Sequence, residues 1–369
     1  MNILLVNWQD LENPQAGGAE IHLFELFGRL TRRGHRVHLV CSGWRGCPPT
    51  ATIDGVSVER HGDRHTFALR GRGAVRAALR RQAWDVLVED VNKLPLYTAT
   101  MTRIPSCVIV PHLFGTTAYH EAGWVMASTV VLAERLMPLA YRRSAFHTIS
   151  ESTRDDLIAR GIPAERIEVI HPGVDYRRFH PDPALDRSKP PSFLYVGRLK
   201  RYKGVDLAIR ALSLVHRTRP DVRLDIAGSG DDRPRLEGVV TALGLTNRVT
   251  FHGFVTEEAK LELLRTTWAN LFPSPKEGWG ITVMEAAACG TPSIASNSPG
   301  LRDSVRDGHT GHLVPHGDVE QLARRMLELV EHPDRVATLG RAARAHAEAW
   351  SWDDAAAATE RHLSSLAGH

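Results

Sequence analysis

Cysteine is scarce in this sequence, and its spacing excludes two kinds of site. The four cysteines among 369 residues are Cys41, Cys47, Cys107 and Cys289. They show neither the close pairs of a structural zinc site nor the density of a small disulfide-rich domain, so we predict reduced thiols. The sequence also has no Asp-x-Asp motif and no cluster of His and Asp suited to a divalent ion. We therefore expect no metal and no other cofactor.

Long hydrophobic runs are missing as well. No uncharged apolar stretch reaches the roughly 18 residues that a membrane-spanning helix needs. The chain opens on a strand-like run, Asn2–Val6, without a charged region or cleavage site before it. We expect no membrane-spanning helix and no classical secretion signal. We expect the protein to be cytoplasmic.

Two common phosphate-binding motifs are also missing. No stretch has the pattern G-x-x-x-x-G-K-[ST], and no strand is followed by G-x-G-x-x-G. The nearest approach, Gly228-Ser229-Gly230-Asp231, lacks the third glycine. Charge gives a broader constraint: 46 Lys and Arg stand against 42 Asp and Glu, a balance that permits anionic partners. We expect no nucleic-acid partner.

Short apolar strands alternate with helical windows along the whole chain, a pattern typical of parallel α/β layers. In the first half it predicts strands at 2–7, 35–41, 85–89, 105–110, 145–149 and 166–170, and helices at 19–33, 73–82, 124–143 and 151–159. In the second half it predicts strands at 192–197, 222–227, 248–251, 269–273, 292–295 and 311–314, with helices such as 204–218, 256–266 and 318–331.

The length of the chain exceeds the size at which one core stops growing, so we predict two Rossmann-like domains. The proline-rich stretch from His171 to Pro191 suits a linker. The boundaries that we predict are 1–173 for the first domain and 174–350 for the second, with a helix at 351–369 that packs back on the first domain.

Two carboxylates lie eight residues apart after a predicted strand. Glu277 stands in the loop beyond that strand, and Glu285 lies within a helix that begins near Ile281 or Thr282. The free N–H groups of that helix start favour an anion such as phosphate. Glu285 sits among alanines that would normally pack inward, so it needs a partner, and ribose hydroxyls would serve. The alternative is a pair of solvated acids.

Basic and glycine residues follow two other strands. Arg198 stands at the carboxyl end of the first strand of the second domain, and Lys203 stands just before the next helix. This pair suits a diphosphate at the sheet edge where open α/β folds bind ligands. In the first domain, Gly17-Gly18 precede a helix and would let backbone N–H groups approach a phosphate. Each signal alone also fits an ordinary surface or helix entry.

Together, Gly17-Gly18, Arg198, Lys203, the two glutamates around Gly-Trp-Gly and the linker Pro172-Gly173-Val174-Asp175 resemble the retaining glycosyltransferases of family 4, the glycosyl transferases group 1. The resemblance covers essentially the whole chain. It implies the two-domain GT-B fold, an α/β fold in which two Rossmann-like domains with parallel sheets face a central cleft. A nucleoside-diphosphate sugar, linked to UDP or GDP, would be held there, mainly by the second domain.

The resemblance also implies roles for single residues. Glu285 would bind the ribose and Glu277 the donor sugar, while Arg198 and Lys203 would hold the diphosphate. The implied donor-binding set is Gly17, Gly18, Arg198, Lys203, Gly230, Val255, Glu277, Gly278, Trp279, Gly280, Ile281, Thr282 and Glu285. The implied catalytic set is His112, Arg198, Lys203 and Glu277.

His112 follows a strand of the first domain, where the family places a histidine near the transferred sugar; the alternative is a loop histidine bonded to backbone. Asn92, Lys93 and His120 are expected on the acceptor side, although an ordinary polar loop would look the same. The predicted reaction is transfer of a hexosyl group to a hydroxyl acceptor with retention, in the synthesis of envelope glycans, glycolipids or glycoconjugates. The alternatives are a sugar-nucleotide epimerase or phosphorylase of the same fold, or a non-catalytic nucleotide-sugar sensor.

A run of arginines between Arg60 and Arg81 contains a single acid, Asp63. On a helix from about residue 73, Arg76 and Arg80 would share a face beside Val75 and Leu79. This pattern predicts a peripheral contact with the anionic inner face of the membrane. The alternatives are a solvated basic face or a patch that attracts a soluble acidic acceptor.

Overall fold

A computed structural model describes residues 1–117, 119 and 123–368. The chain splits into two compact units, of which the first comprises Met1–Gly173 with Trp352–His369 and the second comprises Val174–Ser351. Each unit has its own sheet and its own buried apolar clusters.

The first unit is built on an eight-stranded sheet. Its strands are β1 Asn2–Val6, β2 Arg36–Cys41, β3 Thr50–Ile53, β4 Val56–Arg60, β5 Val86–Asp90, β6 Ser106–Val110, β7 Ala145–Thr148 and β8 Ile167–Val169. Its first helices are α1 Gly18–Arg32, α2 Phe67–Arg81, α3 Trp124–Ala140 and α4 Glu151–Ala159. The strand order is β3-β4-β2-β1-β5-β6-β7-β8, and only β3 and β4 pair antiparallel. β5 and β6 are buried along their length, although β5 ends with the charged residues Glu89 and Asp90.

The second unit is built on a six-stranded, wholly parallel sheet. Its strands are β9 Ser192–Val196, β10 Arg223–Ala227, β11 Val249–Gly253, β12 Ala269–Phe272, β13 Ser293–Ser296 and β14 Gly311–Val314. Its helices are α5 Val205–Val215, α6 Arg233–Ala242, α7 Glu257–Thr266, α8 Ile281–Ala288, α9 Leu301–Ser304, α10 Val319–Glu331 and α11 Pro333–Glu348. The strand order is β11-β10-β9-β12-β13-β14. The predicted fold class, α/β with two Rossmann-like sheets, is confirmed.

The last helix, α12 Trp352–Ala367, belongs to the first unit. It packs along α1, where Arg29 Nε lies 2.7 Å from Asp353, and Arg33 Nη1, just after α1, lies 2.7 Å from Glu360. Trp352 is buried beside His22 of α1, with their ring centroids 5.9 Å apart. Apolar packing and ion pairs therefore both attach the end of the chain to its beginning.

Sequence reasoning missed the β3–β4 hairpin. Its signal was the dipeptide Asp54-Gly55 between two alternating runs, which is typical of a type I′ turn. Both turn residues adopt the left-handed conformation that this turn requires, with φ of 49° and 79°. The dipeptide fixes the register that pairs Ile53 with Val56.

The predicted start of α2 was also wrong, because the helix begins at Phe67 and not near residue 73. Two glycines weaken the helical signal of this stretch. However, Phe67 packs edge-on against Trp8 with their centroids 5.6 Å apart, and a Cβ at Gly71 would lie 2.9 Å from the Phe67 ring. Tertiary packing thus outweighs the local propensity.

Two histidines lie in the core of the first unit. The rings of His22 and His147 are 5.9 Å apart, and both side chains are buried. Burial lowers the pKa of His22 from 6.5 to about 4, and burial together with His22 places the pKa of His147 well below its usual range. The folded state therefore holds both rings neutral.

This burial predicts acid sensitivity. Because the folded pKa is depressed, stability is full above pH 6.5 and falls as the pH drops toward 4. Between pH 6.5 and pH 4, the free energy of unfolding of His22→Leu should fall by about 3 kcal/mol less than that of wild type. This difference is the free-energy equivalent of the shift in the pKa of His22. Urea unfolding at several pH values measures the effect, with the exposed loop variant His65→Leu as control. Equal pH slopes in wild type and His22→Leu would contradict the assignment.

Candidate active site

The second sheet reverses its chain order at β9, which lies between β10 and β12. In open α/β sheets ligands bind at such a point, beyond the carboxyl ends of the strands. The segment after β9 carries Arg198 and Lys203, and the loop after β12 carries Glu277. The fold therefore brings these three predicted residues to one edge of the sheet.

Lys203 and Glu277 form a largely buried ion pair. Their Nζ and Oε1 atoms are 2.5 Å apart, and the two side chains are 11% and 14% exposed. Burial opposes the charge of Lys203, but Glu277 and Tyr202 more than offset this effect, so the pKa of Lys203 is raised. Gly204 ends the turn with φ of 67°, and a Cβ there would lie 2.8 Å from the carbonyl oxygen of Pro273. Glycine thus allows the lysine turn to approach the end of β12.

Arg198 is exposed beside this pair. Its backbone carbonyl accepts a hydrogen bond of 3.0 Å from the hydroxyl of Tyr195, which fixes the segment. In the part of the chain that the structure describes, its guanidinium has no hydrogen bond or ion pair. The positive charge of Arg198 acts on Lys203 and opposes part of the rise in the pKa of that lysine. The edge therefore carries an unpaired cation next to a paired one.

Gly228 and Gly230 have a structural reason to be glycine. A Cβ at Gly230 would lie 2.0 Å from the carbonyl oxygen of Leu199, and one at Gly228 would lie 1.9 Å from that of Gly197. The Leu199 N–H donates to Ser229 at 2.9 Å, so the segments after β9 and β10 run side by side. This packing explains Gly230 without a ligand, and its donor contact stays a prediction.

Val255 lies half-buried in the turn between β11 and α7. The next residue, Thr256, caps α7 by accepting a hydrogen bond from the N–H of Ala259 at 3.2 Å. The predicted contact of Val255 with the donor remains a prediction.

The Gly278-Trp279-Gly280 loop leads into α8. The Trp279 indole is 2% exposed and packs edge-on against Trp350 at 5.7 Å, so the side chain supports the loop from within. A donor contact of Trp279 would therefore be made by its backbone, and the predicted contact stays a prediction. Gly278 and the side chains of Ile281 and Thr282 are half-buried. Gly280 is left-handed with φ of 94°, and the N–H groups of the first turn of α8 have no acceptor earlier in the helix.

Glu285 is buried in α8 and pairs with Lys260 of α7, whose Nζ lies 3.0 Å from Oε1. Burial raises the pKa of Glu285, and Lys260 opposes this shift. Its Oε2 has no hydrogen-bond partner in the described structure. Sequence reasoning anticipated the need for a partner but missed Lys260, because that lysine lies 25 residues away. One oxygen of this buried carboxylate is therefore left without a hydrogen bond among the described residues.

In the first unit, His112 is half-buried just beyond β6, with its ring centroid 4.9 Å from that of Phe114. The loop is held by Glu134 of α3, which accepts hydrogen bonds from the N–H groups of Phe114 at 2.6 Å and Gly115 at 2.9 Å. Arg160 lies 3.2 Å from the same carboxylate. Sequence reasoning missed Glu134, a single acid inside an apolar helix.

The other predicted residues of the first unit surround Glu20. Its carboxylate accepts hydrogen bonds from the N–H of Gly17 at 2.7 Å and from the amide of Asn92 at 3.3 Å. Gly18 is the first residue of α1. Asp90 is buried nearby, and burial, together with the Glu20 charge, raises its pKa well above the usual range. These groups lie at the carboxyl ends of β1 and β5, where this sheet reverses its chain order.

Two acceptor-side predictions have different outcomes. The ammonium of Lys93 lies 5.9 Å from the centroid of the Trp8 ring, beside this cluster. His120 lies outside the described residues.

Within residues 1–117, 119 and 123–368, no group of three or more His, Cys, Asp or Glu is placed to hold a metal ion. The same ranges contain no helix that is long and apolar enough to cross a bilayer.

Comparison with known proteins identifies the family. The model described as Glycosyltransferase Family 4 matches residues 16–178, and the one described as Glycosyl transferases group 1 matches residues 177–346. A D-inositol 3-phosphate glycosyltransferase of Streptomyces scabiei is 35% identical, over 97% of this chain and 89% of that protein. The chain belongs to glycosyltransferase family 4. A GDP-mannose-dependent phosphatidylinositol monomannoside mannosyltransferase of Mycolicibacterium smegmatis is 29% identical over 92% of both chains.

Solved structures agree with this fold. The sucrose-phosphate synthase of Thermosynechococcus elongatus superposes with a TM-score of 0.84 at 22% identity, covering 99% of this chain and 98% of that one. The Anabaena protein HepE in complex with UDP and glucose gives a TM-score of 0.81 at 21% identity, covering 99% and 100%. This member of family 4 therefore has the GT-B fold of two Rossmann-like units. Lys203, Glu277 and Glu285 lie within the match to group 1, and His112 lies within the match to Family 4.

The Lys203–Glu277 pair predicts strong energetic coupling in this glycosyltransferase. Lys203→Met or Glu277→Gln alone leaves a mostly buried group without its partner and should lower the free energy of unfolding by about 3 kcal/mol. The double variant should recover about 1–3 kcal/mol of the summed loss. Denaturant unfolding of all four proteins gives the cycle. The exposed Lys200–Asp231 pair, whose Nζ and Oδ2 atoms are 2.7 Å apart, is the matched control and should couple by less than about 1 kcal/mol. Equal coupling in both pairs would contradict a special role of burial.

Proposed function

We propose that this glycosyltransferase transfers a hexosyl group from a UDP- or GDP-linked sugar to a hydroxyl acceptor, with retention of anomeric configuration. The observation that carries the proposal is the exposed Arg198 beside the buried Lys203–Glu277 pair at the sheet edge. Breaking the anomeric C–O bond builds negative charge on the leaving diphosphate. A fixed lysine and an unpaired arginine supply the opposite charge at one place.

The start of α8 adds a third contribution. Its first-turn N–H groups carry the positive end of the helix dipole, which suits a phosphate oxygen. We propose that Ile281 and Thr282 bind the diphosphate through these N–H groups, while Gly17 and Gly18 assist through the backbone. Because these groups together provide the positive charge, the proposal requires no metal ion.

The two glutamates have different roles in this proposal. The free oxygen of Glu285 accepts hydrogen bonds from the ribose hydroxyls, since Lys260 occupies only its other oxygen. Glu277 is fixed by Lys203 and contacts hydroxyls of the donor sugar. A charged acceptor that is already held in place strengthens such hydrogen bonds without a further ordering cost.

The acceptor side is proposed from the family and from the first unit. His112 contacts the transferred sugar, and the polar cluster around Asn92 and Lys93 receives the acceptor. Retention follows front-face attack, in which the departing phosphate helps to deprotonate the acceptor hydroxyl. We assign no carboxylate to the opposite face of the ring, which a covalent intermediate would need.

The names of the relatives support a nucleotide-sugar donor, but they differ in the nucleotide base of that donor. The mycobacterial relative is named for GDP-mannose, and HepE was solved with UDP-glucose. The two relatives are also named for D-inositol 3-phosphate and for phosphatidylinositol monomannoside. We propose a polyhydroxyl or lipid-linked acceptor in the synthesis of envelope glycans, glycolipids or glycoconjugates.

The experiment that tests this function combines ligand binding with Arg198→Ala. UDP, GDP and their hexose conjugates are screened by thermal shift; a ligand at about 100 times its Kd stabilises by about 2.7 kcal/mol. Once the donor is identified, Arg198→Ala should slow sugar transfer about a hundredfold or more. This is the size of effect expected when an enzyme loses a contact to the negative charge that develops on the leaving diphosphate. Arg201→Ala, an exposed arginine three residues away, is the control. No stabilisation by any nucleotide, or normal transfer by Arg198→Ala, would contradict the proposal.

The glutamates are separated by binding measurements. Glu285→Gln keeps an oxygen for Lys260 but loses the charge that the ribose contacts, so nucleoside diphosphate and intact donor should both bind about tenfold or more weakly. Glu277→Gln should weaken only the intact donor. Calorimetric titration of both variants with both ligands distinguishes them, and unfolding curves exclude a loss of fold. The same pattern in both variants would overturn the separate roles.

A further inference from the structure

Helix α3 is apolar on its outer side as well as its inner side. Val125, Leu132, Leu136 and Leu139 recur at intervals that place them along one stripe of the helix. They are 61%, 60%, 44% and 68% exposed. Soluble monomers rarely expose so many large apolar side chains together. We call these four residues the outer stripe.

The first turn of α3 extends this surface. Trp124 and Met126 are 76% and 55% exposed. An indole combines an apolar body with a polar N–H and so suits a boundary between water and hydrocarbon. The inner side of the same helix is buried through Ala127 and Met137. The helix therefore has a core side and a second apolar side that the described part of this chain leaves uncovered.

Within residues 123–143 the exposed charges all have one sign. Arg135, Arg142 and Arg143 are exposed, and none of them has an ion pair in the described structure. The single acid between residues 123 and 143 is Glu134, which is buried and lies 3.2 Å from Arg160. An apolar stripe whose own segment, residues 123–143, exposes only cations complements a surface that is apolar inside and anionic outside.

The arginine run on α2 does not provide such a surface, which corrects its predicted apolar component. Val75 is fully buried and Leu79 packs against the same core cluster. Arg81 pairs with Glu59 at 2.7 Å, and Arg72 donates to the carbonyl oxygen of Leu96. Val75 and Leu79, the apolar residues that the sequence placed beside Arg76 and Arg80, therefore face the core. The predicted membrane contact of α2 stays a prediction that would rest on its arginines.

We propose that α3 lies in the headgroup region of an anionic lipid bilayer, with the outer stripe toward the acyl chains. Seventeen residues form a helix of about 25 Å, which lies in the plane of the surface and does not cross it. Trp124 anchors one end at the interface, and the three arginines contact lipid phosphates.

This docking has a consequence for the His112 loop. Glu134 of α3 accepts hydrogen bonds from the backbone of Phe114 and Gly115, so the loop is attached to the inner side of the docked helix. A membrane-bound α3 would hold the loop at the bilayer surface, within reach of a lipid-linked acceptor. This consequence rests on the proposed function, whereas the docking itself does not.

Cosedimentation of the full chain with vesicles tests the docking. The vesicles range from pure phosphatidylcholine to mixtures rich in phosphatidylglycerol, at low and high salt. Wild type should bind in proportion to anionic lipid, and salt should weaken the binding. Leu132→Glu/Leu139→Glu should lower the partition coefficient at least about tenfold, because each charge opposes insertion. The matched control is Leu69→Glu on α2, where the leucine is 84% exposed. It should bind like wild type.

A second measurement locates the contact. Brominated lipid should quench tryptophan fluorescence in wild type, and most of this quenching should be lost in Trp124→Phe. Wild type that stays in the supernatant with anionic vesicles at low salt would overturn the proposal. A dimer that Leu132→Glu/Leu139→Glu dissociates, without vesicle binding, would show that a second copy covers the stripe and would also overturn it.

Nucleotide thermal shift on the same proteins keeps this result separate from the proposed function. Intact nucleotide binding without vesicle binding would reject only the docking. Vesicle binding without any nucleotide binding would reject only the donor chemistry. Unchanged melting temperatures in the leucine variants confirm that they fold.

Discussion

The parallel pairing of β9 with both β10 and β12 is the constraint on which the candidate site depends. Its backbone hydrogen bonds hold the three strands in register, so their carboxyl ends meet at one edge. Unpaired charged groups are costly in the buried part of such a sheet, and Arg198 and Glu277 lie in the segments that follow it. Gly228 and Gly230 then let two of these segments touch, since any side chain there would meet a carbonyl oxygen. The positions of Arg198 and Glu277 follow from this geometry.

The second feature of the candidate site is that its charged side chains are buried in pairs. Two lysine–glutamate pairs, Lys203–Glu277 and Lys260–Glu285, each join separate segments around β12 and α8. A buried carboxylate without its lysine would be costly, so each pair is stable as a unit. The pairing also fixes the carboxylates in place before a ligand arrives, which lowers the ordering cost of binding. The same arrangement therefore serves both folding and the proposed recognition.

The first unit uses buried polar groups in a different way. Glu134 turns inward from an apolar helix and satisfies the backbone of the His112 loop. Glu20 does the same for Gly17 at the start of α1. In both places a single carboxylate positions a loop by accepting backbone hydrogen bonds. Because Glu134 fixes which side of α3 faces the protein, it also fixes which side remains outside.

The sequence by itself determined the α/β fold class, most of the strands and the family. Buried parallel strands are continuous apolar runs, and the charged residues that follow them can be recognised locally. These two signals suffice to predict that Arg198, Lys203 and Glu277 share one edge. The Asp54-Gly55 turn was equally legible, although it was overlooked.

Only the tertiary structure decided which charges pair and which faces are covered. Lys260 is distant from Glu285 in sequence, and no local pattern specifies such a pair. The start of α2 at Phe67 depends on contact with Trp8. Helix α3 is apolar on two sides, so its periodicity cannot show which side is buried. The sequence fixes local geometry through backbone and side-chain preferences, whereas packing between distant elements determines what each surface meets.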